Sequence, residues 1–125
     1  MSYDDNNIFA KILRGEIPCD KVFENEHSLA FKDISPQAKV HILVIPKGSY
    51  IDVDDFSKNA SKDEIASLMQ AVVEVCKITK VSLTEGGNGF RLITNTGPDG
   101  SQEVPHFHYH VMGGEPMGLR GLRKV

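Results

Sequence analysis

The sequence predicts an α+β fold, an antiparallel sheet with helices on one side, on three observations. Ser61-Lys62-Asp63-Glu64 is a capping box, in which hydroxyl and carboxylate satisfy each other's exposed backbone N–H groups. Apolar residues then recur at Ile65, Leu68, Met69, Val72, Val73 and Cys76, one stripe of a long amphipathic helix. Five other segments have strand composition, three before this helix and two after it, and short polar links between neighbouring strands suit antiparallel pairing.

The elements follow in order. Asp5, Asn6 and Asn7 offer capping oxygens, and Ile8, Phe9, Ile12 and Leu13 share one helical face, so a short helix is expected over about 8–14, stopped by Gly15 and Pro18. Lys21–Glu24 and Ser28–Asp33 read as a hairpin around Asn25-Glu26-His27, ended by Ile34-Ser35-Pro36. Val40–Pro46 is β-branched and nearly all apolar, as a strand covered on both faces should be, with His41 inside it. The acidic stretch around Asp52–Ser57 reads as a polar link before the capped helix. After that helix come a turn at Glu85–Gly89, a strand at Phe90–Thr94, a loop at Asn95–Glu103 and a last strand at Pro105–Met112. The remainder, to Val125, is expected to be coil that packs on a partner subunit.

The 125 residues carry 14 Lys+Arg against 17 Asp+Glu, a net charge of 14 − 17 = −3, with 40% hydrophobic residues. This is material for one domain over 1–125, with its core at about 7–113 and a tail over 114–125. Interspersed charges of both signs disfavour a nucleic-acid partner. No apolar run approaches the ~20 residues that cross a bilayer, so no membrane role is expected. The polar start Met1–Asn7 has no export character, and Cys19 and Cys76 lack metal or disulfide-framework spacing, so a cytoplasmic location is expected.

Three of the five histidines occur as His106-Phe107-His108-Tyr109-His110. A strand turns alternate side chains to opposite faces, so the three imidazoles should share one face while Phe107, Tyr109 and Val111 point to the core. One chemistry for such a row is metal binding: Gly100, five residues and His106-x-His108 copy the opening of the cupin metal motif. The glutamate of that motif is missing, since Met112 and Gly113 stand in its place. A flat strand also separates the outer histidines by about 13 Å at ~3.3 Å per residue, against metal bonds of ~2.1 Å. The other chemistry is nucleophilic attack at phosphorus. A neutral imidazole is a good nucleophile near neutral pH, and flanking imidazoles can hydrogen-bond the phosphate oxygens. His108, with a neighbour on either side, is the natural nucleophile, and Asn95–Gln102 supplies hydroxyl and amide donors beside it.

His106-Phe107-His108-Tyr109-His110-Val111-Met112 resembles the His-φ-His-φ-His-φ-φ motif of the histidine triad (HIT) family. Ile8–Ile12, Gly15–Pro18, Ala30–Ala38, His41–Lys47 and Gly100–Gln102 are similar to its Hint branch of nucleoside phosphoramidases, the bacterial members above all. The resemblance implies an α+β HIT fold whose two subunits join through the long helix and a sheet edge into one ten-stranded sheet. It implies a homodimer that binds a purine nucleoside monophosphate or phosphoramidate and needs no metal or other cofactor. Ile8, Phe9, Ile12 and Phe31 would surround the base, and Asp33 and Ile34 would meet the ribose. Core packing is an equal use for each of the apolar ones. Asn95, Ser101, His108 and His110 would hold the α-phosphate, Gln102 and Glu103 would complete the nucleotide site, and His41 would support the triad strand.

The implied reaction is cleavage of the P–N bond of a purine nucleoside 5′-phosphoramidate, of the adenosine phosphoramidate or adenylyl-lysine type. His108 would attack to give a nucleotidyl-histidine, with His110 and His106 assisting. A nucleotide-binding regulator, an acyl-adenylate hydrolase and a dinucleoside polyphosphate hydrolase are the alternatives. Three departures stand out. Asn7-Ile8-Phe9-Ala10 replaces the Cys-Ile-Phe-Cys zinc start of some relatives, and the tail from Met117 lacks the tryptophan of animal members. Glu103 stands where animal members carry a serine, and an ionised carboxylate cannot donate a proton to a leaving group.

Overall fold

The computed structural model describes residues 2–118. Three strands form first along the chain: β1 (Lys21–Glu24), β2 (Ser28–Lys32) and β3 (Val40–Pro46). β4 (Phe90–Ile93) and β5 (Tyr109–Gly113) complete one antiparallel sheet in the order β1-β2-β3-β5-β4. The register pairs Leu43 with His110 and Ile42 with Val111, so β3 and β5 carry their alternating sets on matching faces. Among the described residues, no helix is long and apolar enough to cross a membrane.

The helices divide between the two faces, where the sequence suggested one. α1 (Ile8–Leu13) starts at Asn7, whose side chain accepts the Ala10 N–H. It lays Phe9 against Leu29, Phe31, Leu43 and Ile45, with Ile12 and Leu13 packed beside them. The long helix α3 (Lys62–Ile78) covers the opposite face, where Ala30, Ile42, Val44, Phe107 and Val111 meet Leu68, Ala71, Val72, Val75 and Cys76. Helices on both faces follow from the strands themselves, since β2 and β3 are apolar on both sides and need two covers.

Both halves of the predicted capping box are present at Ser61 and Glu64. The stripe behind it is out of phase with expectation. Leu68, Val72 and Cys76 do face the sheet, joined there by Ala71 and Val75, whereas Ile65, Met69 and Val73 stay exposed at i, i+4 and i+8. Buried Ser67 shows why the helix turns this way: its hydroxyl donates to Asn25 Oδ1 at 2.6 Å and lies 3.1 Å from Ser28 Oγ. These bonds register the helix on the β1–β2 hairpin.

Three further expectations are corrected. The stretch at Asp52–Ser57 holds a helix, α2 (Val53–Asn59), capped by Asp52 through the Asp55 N–H and anchored in the core by Phe56. The last strand begins at Tyr109, so residues 105–108 run without ladder partners before the sheet takes the chain up. β2 and β4 each end one residue early. Of the tail expected over 114–125 to pack on a partner subunit, residues 119–125 lie outside the described residues.

Candidate active site

The face covered by α1 carries the histidines. His41 leaves β3 and His110 leaves β5, while His106 and His108 come from the chain just before β5. Phe9 sets its ring edge-on to His108, with centroids 5.0 Å apart, and to His106 at 6.3 Å. His108 and His110 lie 5.0 Å apart at their ring centroids.

The hydrogen-bond partners determine where each ring proton is. His108 Nδ1 is 2.7 Å from the His106 carbonyl, which can only accept, so Nδ1 carries the proton and Nε2 keeps a lone pair. The Gln37 main-chain N–H donates to His41 Nδ1 at 3.1 Å, which leaves the His41 proton on Nε2. That proton is given to His110 Nδ1 at 2.9 Å, so His110 carries its own proton on Nε2. His106 Nε2 donates to the Pro46 carbonyl at 2.8 Å, and its Nδ1 accepts from the Tyr3 hydroxyl at 2.6 Å. A lone pair on His108 therefore stands beside an N–H donor on His110.

Electrostatics keep these rings neutral. Burial pushes His108 below the ordinary histidine value, opposed by the His106 carbonyl and by Asp33 and Glu103. Burial lowers His110 to about 4, helped by His108 and His41, and lowers His106 to about 4 as well. His41 is lowered by burial against the pull of Asp33.

Two clefts of about 310 Å³ each meet over this face and share Phe9, Asp33, Ser35, Leu43, Glu103 and Val104. One is polar, and His108, His110, Asn95, Ser101 and Gln37 line it. The other is apolar, formed largely by Ile8, Phe9, Ile12, Phe31 and Ile34. Ile34 stands at its mouth, 92% exposed. Asp33 reaches both: one oxygen accepts the Ser35 N–H at 2.8 Å, and the other lies 3.4 Å from His41 Nε2.

The structure thus brings Ile8, Phe9, Ile12, Phe31, Asp33, Ile34, Asn95, Ser101, Glu103, His108 and His110 to one joined cavity. His41, His106 and Gln102 line neither half. His41 acts on His110, and His106 is fully buried with its ring turned to Pro46 and Tyr3. Gln102 braces the loop: its carbonyl accepts the Gly97 N–H, and its amide donates to the Ile51 and Val104 carbonyls. The same loop needs glycine at 100, where a Cβ would stand 2.5 Å from the Thr96 carbonyl oxygen, and holds Ser101 at φ 58°. Sequence reasoning missed Tyr3, Ser35, Gln37, Leu43 and Val104. Gln37 contributes a main-chain N–H here, a group every residue but proline possesses, so nothing in its side chain announces the role.

Among the described residues, the donor set that could hold a metal is Asp33, His41 and His110, whose ligand atoms lie within 4.8 Å of one another. That set does not suit an ion. The lone pair His41 would need on Nε2 is replaced by a proton while Gln37 occupies Nδ1.

A HIT domain family model matches residues 14–117. An uncharacterised 13.2 kDa HIT-like protein of Azospirillum brasilense is 56% identical over 94% of this chain and 93% of its own. The purine nucleoside phosphoramidase of Escherichia coli K12 is 42% identical over 91% of this chain and 92% of its own. Among solved structures, a HIT family hydrolase from Clostridium thermocellum is similar with a TM-score of 0.81 and 36% identity, covering 92% of this chain and 96% of that one. With matches of this extent, and the three histidines in place on the α1 face, the chain belongs to the HIT domain family.

Proposed function

We propose that this protein hydrolyses the P–N bond of purine nucleoside 5′-phosphoramidates through a nucleotidyl intermediate on His108. The observation that carries the proposal is the pairing of a free Nε2 lone pair on His108 with an N–H on His110, in a polar cleft continuous with an apolar one. A nucleotide has the same two-part character. Its base is flat and apolar on its faces, which suits Phe9, Phe31 and the isoleucines, and its phosphate is rich in acceptors, which suits His110, Asn95 and Ser101. Asp33, where the halves join, is placed to accept ribose hydroxyls. The Escherichia coli relative named a purine nucleoside phosphoramidase supports the substrate class.

The chemistry runs in two displacements. His108 Nε2 attacks phosphorus while the P–N bond breaks, and the departing amine takes up a proton from water. The new N–P bond makes the imidazole cationic. Its Nδ1–H remains on the His106 carbonyl, a hydrogen bond that strengthens as charge develops, and His110 Nε2–H stabilises the phosphoryl oxygens. Water then attacks the same phosphorus and loses a proton, the N–P bond breaks, and the nucleoside monophosphate leaves with His108 neutral again.

The homodimer belongs to the same proposal. Ile65, Met69 and Val73 form an exposed apolar row along α3, a face that a second copy would cover.

Three outcomes are expected. With adenosine 5′-phosphoramidate, His108→Ala should lower kcat/KM at least about a thousandfold while AMP binding, measured by calorimetry, stays within severalfold of the original. An unchanged rate would remove His108 as the nucleophile. Only neutral His108 can attack, and burial holds its titration below the ordinary 6.5, so the acid-side decline of kcat/KM should be centred below pH 6.5. A decline centred above 6.5 would contradict the neutral-imidazole account. In sedimentation, the protein should run as a dimer and Met69→Glu as a monomer; a monomeric parent protein would exclude this interface.

A further inference from the structure

Residues 105–108 carry the nucleophile yet have no strand ladder to hold them. Hydrogen bonds from other segments do the holding instead: the Thr94 hydroxyl donates to the His108 carbonyl at 2.8 Å, and three more act at Phe107 and the His106 ring. The Phe107 N–H donates to the Tyr50 carbonyl at 2.8 Å, the His106 ring donates to the Pro46 carbonyl, and the Tyr3 hydroxyl donates to the other side of that ring. The third contact comes from outside residues 14–117 of the family match, from a segment ahead of α1. It is well made: the Tyr3 and His106 rings meet edge-on at 73°, with centroids 5.6 Å apart.

The direction of this bond is forced. The Pro46 carbonyl cannot donate, so His106 Nε2 holds the proton and Nδ1 offers the lone pair that the tyrosine hydroxyl meets. Were Nδ1 protonated instead, Nε2 would face the Pro46 carbonyl lone pair to lone pair inside a fully buried pocket. The same residue's main-chain carbonyl receives the His108 Nδ1 proton. The ring and the carbonyl of His106 are thus parts of one rigid turn. Its ring is fixed from two sides, and its carbonyl aims the nucleophile.

We propose that Tyr3 is a positioning residue: by donating to His106 Nδ1 it locks the turn whose carbonyl orients the His108 ring. The strap ahead of α1 then belongs to the active-site scaffold. The kinetic consequence rests on the phosphoramidase proposal above, whereas the effect on the rings does not.

The test is Tyr3→Phe in the full-length protein, which keeps the ring and deletes the hydroxyl. Nitrogen-15 NMR of the histidine side chains reads the bond directly. In the parent protein, His106 should show one Nε2–H tautomer with Nδ1 shifted as a hydrogen-bonded acceptor, and the His108 Nδ1 proton should exchange slowly. In Tyr3→Phe the His106 Nδ1 signal should move to that of a free acceptor, and the His108 proton should exchange faster. Turnover of adenosine 5′-phosphoramidate should lose about three- to tenfold in kcat with KM within twofold, the loss expected of one hydrogen bond that aims rather than binds. Unmoved ring signals would overturn the proposal, and so would moved His106 signals with an unchanged His108 proton and kcat. If the parent protein lacks phosphoramidate turnover, the phosphoramidase proposal fails by itself and the two ring signals still decide the role of Tyr3.

Discussion

The active site depends on one constraint: four imidazoles are packed so that every ring nitrogen turned into the protein is hydrogen-bonded, which leaves only Nε2 of His108 and of His110 for the cleft. An unpaired polar group buried there would cost about 1–3 kcal/mol, a large share of the stability of a small domain. Three partners allow no choice of direction. The Pro46 and His106 carbonyls can only accept, and the Gln37 main-chain N–H can only donate. Once these three are in place, every ring proton has one position. The free lone pair of His108, which the proposed reaction uses as its nucleophile, and the donor N–H of His110 are consequences of main-chain geometry, set before any ligand arrives.

The sheet supplies that geometry. β3 contributes His41 from its start and the Pro46 carbonyl from its end, and β5 brings His110 opposite Leu43. Because side chains alternate, each histidine on the α1 side is backed by an apolar residue on the α3 side. Phe107, Val111, Ile42 and Val44 are buried against the long helix while the imidazoles face the cleft or its walls. Burial on one face therefore immobilises the chemistry on the other. Desolvation by the same packing keeps the rings neutral, which is the state that can attack phosphorus.

Much of this was legible in the sequence, for identifiable reasons. The capping box at Ser61 and Glu64 is a local device that needs no tertiary context, and it appears as read. The five strands were found from β-branched runs and turn residues, and the histidine row from its period of two. Features governed by distant partners were not. The rotation of α3 is set by Ser67 reaching Asn25 and Ser28, so the exposure of Ile65, Met69 and Val73 could not follow from helical periodicity alone. α2 was hidden because only Val53 and Phe56 interrupt an acidic run, too little apolar pattern to reveal a helix whose cap is Asp52. Tyr3 and Gln37 act on histidines 103 and 4 positions away, through a hydroxyl and a main-chain N–H that carry no signal of their purpose.

The measurement that reaches the centre of the account is the stereochemical course at phosphorus. A P-chiral adenosine 5′-phosphorothioamidate would be hydrolysed in oxygen-18 water and the configuration of the product assigned. Two successive in-line displacements, the first by His108 Nε2 and the second by water, predict retention. Inversion would mean that water attacks the substrate directly, and it would contradict the covalent role assigned to the His108 lone pair.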